Sequence, residues 1–70
     1  MKKIGKKYRV TDGSGVFSNQ IGIVQPKREY GFYKQVSGLY KPIDYKTESL
    51  LISENNVVFT MYDNRLKNVG

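Results

Sequence analysis

The chain has 70 residues, with 12 Lys and Arg against 6 Asp and Glu, six Tyr and three Phe, and no His, Cys or Trp. A length of this order allows one domain with a modest core and no deep active site. The absence of Cys excludes a disulfide staple, and without Cys or His the usual zinc and haem ligands are missing, so neither metal nor cofactor is expected. Five bases, Lys2, Lys3, Lys6, Lys7 and Arg9, stand in the first ten residues with no acid among them, and they account for five of the six net positive charges.

From Lys7 to Thr11 basic and apolar residues alternate, with Tyr8 and Val10 on one side and Lys7 and Arg9 on the other, which is the two-residue period of a half-buried strand. Asp12-Gly13-Ser14-Gly15 follows as a dense turn cluster, Val16 and Phe17 are expected to pin the loop to the core, and Ser18-Asn19-Gln20 prolongs it. Ile21 to Gln25 reads as a second strand ended by Pro26, with Gly22 marking a bend, a bulge or a close backbone approach. After the charged turn Lys27-Arg28-Glu29, the aromatics of Tyr30 to Val36 predict a third strand, broken by Ser37-Gly38.

Leu39 to Tyr45 can be an edge strand or a loop, because Pro42 has no N–H to give to a ladder. Ser49 to Ser53 and Val57 to Tyr62 are apolar runs joined by Glu54-Asn55-Asn56, a hairpin signal in which Asn tolerates the left-handed conformation. Tyr62 to Arg65 suggests another turn, with Leu66 to Val69 as a short closing strand. No apolar pattern has the period of a stable helix. The expectation is a single all-β domain over 1–70, and closure of five or six short strands into a small barrel would remove exposed edges. Residues 1–6 are either a flexible basic end or a phosphate-tracking extension of the first strand.

Tyr8-Arg9-Val10-Thr11-Asp12-Gly13-Ser14-Gly15 with Phe17-Ser18-Asn19-Gln20-Ile21-Gly22-Ile23-Val24 resembles the KOW motif of SH3-like small barrels, in which a basic and apolar strand leads through a polar loop to a glycine flanked by aliphatic residues. The resemblance covers residues 5 to 25, about a third of the chain. It implies an SH3-like barrel that binds RNA, DNA or a protein of the transcription or translation machinery. Residues 26 to 48 are longer and more aromatic than a minimal unit of that family. A small basic barrel without an enzyme motif also looks like many small phage accessory proteins.

Three function classes are to be weighed. In the first, Lys2, Lys3, Lys6, Lys7 and Arg9 contact phosphates, aided by Lys27, Arg28, Tyr33 and Lys34, where bases and aromatics interleave as they do on single-strand binding surfaces. Phe32 in that segment is expected in the core, while Tyr33 is equally suited to core and surface. In the second, Tyr33, Tyr40 and Tyr45 form a protein-binding patch, since tyrosine is enriched at interfaces and loses little entropy when fixed; such a module would be an adaptor or inhibitor of a larger enzyme. An enzyme is the third class and is not expected. Asp44 and Glu48 are the one acidic pair four apart and read as a solvated loop, and Asp12 to Gly15 lacks the lysine and helix of a phosphate-binding loop. No apolar run reaches the roughly 20 residues of a membrane span, and no apolar segment follows the basic start as in a secretory signal, so the cytoplasm is the expected compartment. Self-association through an exposed edge strand stays open.

Overall fold

The computed structural model describes residues 1–11, 15–28 and 38–69 and the backbone of residues 33–36. Seven strands follow in chain order: β1 (Lys7–Val10), β2 (Ile21–Val24), β3 (Tyr33–Val36), β4 (Leu39–Pro42), β5 (Glu48–Ser53), β6 (Val58–Tyr62) and, after a 3-10 turn at Asp63–Arg65, β7 (Leu66–Asn68). Five of them make one antiparallel sheet in the order β6-β5-β2-β1-β7, while β3 and β4 pair with each other as a separate two-stranded ribbon. The protein is therefore all-β. Among the described residues the hydrogen-bonded ladder runs from β6 to β7 without joining these two edges.

Alternation along β1 turns Tyr8 and Val10 inward and leaves Lys7 and Arg9 exposed. Tyr8, Val10, Val24, Leu51, Phe59 and Leu66 form the core, with Met1, Phe17 and Met61 packed against it. β5 is buried on both faces, so its apolar run is nearly continuous; Leu51 joins the core while its neighbour Leu50, on the other face, is equally inaccessible. Tyr8 lies opposite Gly22 on one side and Asn68 on the other.

Gly22 is the close approach among the three possibilities its position allowed. A Cβ built there would lie 3.0 Å from Leu51 Cβ and 3.1 Å from Phe59 Cζ, so the strand can pass over these side chains only without one of its own. Phe17 stacks on the Phe59 ring at 4.3 Å between centroids and 8° between planes. Val16, expected to share that role, is 87% exposed. The chain turns tightly here, with Ser18 N–H on Gly15 O and Gln20 N–H on Phe17 O, so adjacent side chains diverge and only Phe17 is aimed inward. Asp12, Gly13 and Ser14 lie outside the described residues, as do Glu29 to Phe32 and Ser37.

Among the described residues the strands number seven rather than five or six, because 39–42 pairs with β3. Tyr33 lies opposite Pro42, so the proline stands at the end of a two-stranded ribbon, where a missing N–H is tolerated. The β5–β6 hairpin follows its sequence signal, with Asn56 in the left-handed region at φ 62° and its N–H on Ser53 O at 3.0 Å. Val57 belongs to this turn rather than to the strand, its N–H donating to Ser53 Oγ at 3.2 Å. The 3-10 turn is fastened to the end of β1 by the Thr11 N–H and hydroxyl, both on Arg65 O at 2.8 and 3.0 Å, and this brings β7 alongside β1.

The six residues ahead of β1 are hydrogen-bonded to the body. Lys6 N–H closes a turn on Lys3 O, with Gly5 at φ 81° inside it, and Gly5 N–H donates to Val24 O at 2.8 Å. Lys2 N–H donates to Ser49 Oγ at 2.7 Å. Among the described residues no helix is long and apolar enough to cross a membrane, and no group of three or more acids is placed to hold a metal ion.

Candidate nucleic-acid interface

The basic residues of the first ten divide between two sides of the sheet. Lys7 and Arg9 project from the exposed face of β1. Lys2 and Lys6 instead carry their ammonium groups over the ring of the core-side residue Tyr8, each 5.7 Å from its centroid. Lys3 is exposed in the turn before β1.

The fold adds a base that local sequence does not join to this group. Lys67, exposed on β7, lies directly opposite Arg9 in the antiparallel register. Directly opposed like charges destabilise a sheet by a few tenths of a kcal/mol or more, so the pair forms despite its own repulsion. Lys7, Arg9 and Lys67 thereby make a compact cationic stripe along β1 and β7. Its other border is aliphatic: Ile23 lies opposite Lys7, and Ile21 opposite Arg9.

Lys27 and Arg28 gather around Tyr45 instead. Lys27 Nζ stands 5.8 Å from the Tyr45 ring centroid, and Arg28 N–H donates to the Tyr45 hydroxyl at 3.1 Å. Tyr45 is half-buried by this arrangement, whereas Tyr40, on a β4 strand exposed at all four residues, is 74% accessible. Of Tyr33 and Lys34 the structure describes the backbone, which sets Lys34 directly opposite Lys41. The segment Tyr30 to Phe32 that completes this motif lies outside the described residues. Asp44 is exposed and accepts from Lys46 N–H through Oδ1 at 3.0 Å, while Glu48 is buried at the start of β5. The two acids thus occupy different environments rather than a shared solvated loop.

A polar network that sequence reasoning missed lies at the amino terminus. The Met1 amine sits 2.6 Å from Asp63 Oδ2 and donates to Tyr45 O at 2.8 Å. Ser49, fully buried, accepts from Lys2 N–H and donates its hydroxyl to Asp63 Oδ1 at 2.6 Å. Asp63 N–H in turn donates to Thr47 O at 2.9 Å. Burial, the largest single influence, pushes the Asp63 carboxyl up, but hydrogen bonds from the amine and Ser49, with the charges of the amine and Lys2, together hold it below its ordinary value. Within the sequence Asp63 reads only as a turn residue, and no side-chain pattern announces a partner that is a backbone amine.

Two of the grooves open to solvent are lined by described residues. One, of about 250 Å³, lies between Asn19, Gln20, Ile21, Glu54 and Asn55, and among these described residues there is no cation. The other, of about 420 Å³, is walled by Lys46, Thr47, Tyr62, Asp63 and Asn64 beside the amine network. Comparison with known proteins returned no match to a family model, to a curated protein or to a solved structure.

Proposed function

We propose that the protein is a non-enzymatic basic binding module of the SH3-like small-barrel class that contacts RNA or DNA through phosphates. The barrel assignment is supported by the strand order: the chain meanders through β1, β2, β5 and β6, and a 3-10 turn then returns β7 to the free side of β1. A twisted sheet of this order needs only its two edges to curl toward each other to become a small barrel. The resemblance of residues 5 to 25 to the KOW motif points the same way and suggests a nucleoprotein complex as the setting.

The observation that carries the nucleic-acid reading is the opposition of Arg9 and Lys67, with Lys7 next along β1. Three cations held on one exposed face of the β1–β7 pair match the repeating charge of a phosphate backbone, and each phosphate they neutralise releases counterions. Such contacts read no base edges, so little sequence preference is expected.

Titration of labelled single-stranded RNA and duplex DNA between about 50 and 200 mM salt tests this. Three phosphate contacts alone predict that duplex affinity falls by about 40-fold over that range. The combined variant Lys7→Gln, Arg9→Gln, Lys67→Gln is expected to remove that part of the slope. Affinity that barely changes with salt would refute phosphate contact.

The second reading, a protein-interaction module, is favoured by one feature: Leu39 and Tyr40 are 63% and 74% exposed on β4. Capture of a single stoichiometric partner that survives nuclease treatment would move the assignment to that class.

A further inference from the structure

The groove of about 420 Å³ stands apart from the β1–β7 stripe and has walls of another kind. Tyr62, at the end of β6, is 46% exposed. The Arg65 guanidinium, which is not a wall of the groove, lies over that ring at 5.4 Å from its centroid. Lys46 and Asn64 stand among the walls, bringing an ammonium and an amide that offers both donors and an acceptor.

Asp63 is the one acid among the described walls, but its carboxylate is engaged by the Met1 amine and the Ser49 hydroxyl. Its negative charge is thus matched within the protein, and Lys46 stands as the wall's cation. The volume is adequate for a small ligand, since such sites begin at about 300 Å³. An exposed tyrosine ring beside a cation, with an amide at hand, complements a group that is flat and aromatic at one end and anionic at the other.

We propose that this groove holds one nucleotide of a single strand, with the base stacked on Tyr62 and its phosphate beside Lys46. The inference rests on the nucleic-acid reading above and narrows it to unpaired strands. In a duplex the base faces are covered by their neighbours, whereas an unpaired base can be splayed onto an aromatic ring. Arg65 already packs over the ring, so less side-chain freedom is lost when a base arrives.

The test uses the full chain, an oligouridylate and a duplex DNA of equal length, with affinities read by fluorescence anisotropy at fixed salt. Tyr62→Leu is expected to weaken oligouridylate binding by about 5- to 150-fold, the usual worth of one stacked base, and to leave duplex binding within about twofold. Tyr62→Phe keeps the ring and should bind like the parent, while Lys46→Gln should lower the single-strand salt slope by about 0.7, the share of one phosphate. Thermal melts of all variants establish that they are folded. Unchanged oligouridylate binding in a folded Tyr62→Leu, or an equal loss in Tyr62→Phe, would overturn the inference while leaving the phosphate stripe standing. A parent protein that binds neither oligonucleotide at low salt would overturn both.

Discussion

Replacing Gly22 by valine is expected to remove a substantial part of the domain's stability. The first added carbon would already sit 3.0 Å from Leu51 Cβ and 3.1 Å from both Leu51 Cδ2 and Phe59 Cζ. Leu51 Cβ is fixed to the backbone of the adjacent strand and cannot swing aside as a side-chain tip would. The two further methyls of valine must then displace the Phe59 ring, and with it the stack on Phe17 that anchors the β1–β2 loop. Overpacking of this kind costs about 1–3 kcal/mol, and the gain from valine's strand preference over glycine is at most about 1 kcal/mol. A domain of this size has only about 3–5 kcal/mol from its core. The urea midpoint, followed by far-ultraviolet circular dichroism, should fall sharply for Gly22→Val and less for Gly22→Ala. An unchanged midpoint in the valine variant would mean that β2 and β5 can separate freely, contrary to the packing described.

Elements set by neighbouring residues are readable from the sequence alone. Alternation in Lys7 to Val10 and the Asn-rich turn between β5 and β6 each depend on a few adjacent residues, and both appear at their predicted places. The ribbon strand at Leu39–Pro42 is ambiguous for an equally local reason: Pro42 is compatible with a strand only if no partner needs its N–H, and the sequence does not name the partner. What cannot be read locally is what the chain brings together across long separations. Arg9 meets Lys67 only because the 3-10 turn is tied to Thr11, and neither residue's neighbours encode that return. The same holds for Tyr62 and Lys46, which become walls of one groove through the β5–β6 pairing. The basic end is legible as a run of charge, yet its division between the Tyr8 ring and the open face of β1 depends on how residues 1–6 fold back.

Asp63→Asn is expected to lower stability by about 2 kcal/mol at neutral pH, within the range for hydrogen bonds to a charged group. The amide can still accept from Ser49, but it loses its charge against the amine of Met1, a residue whose side chain is 10% exposed, and the amine must then be held there without its counterion. The pH dependence distinguishes this cause from a simple packing defect. In the folded protein the Asp63 carboxyl lies below its ordinary value, whereas in the unfolded chain it titrates near about 3.9. A carboxyl depressed by folding adds stability that is complete above its unfolded value and is lost as pH falls through its folded value. The parent should therefore lose stability on acidification below about pH 4, and the Asp63→Asn variant should show a flatter profile over the same window. The two curves should converge once Asp63 is protonated, because an uncharged carboxyl and an amide then present similar hydrogen-bonding groups to Ser49 and the amine. Urea denaturation at a series of pH values from neutral to strongly acidic measures both curves. A gap that persists undiminished at the acid end would show that the substitution acts through shape rather than through the ion pair that ties the amino terminus to the wall of the groove.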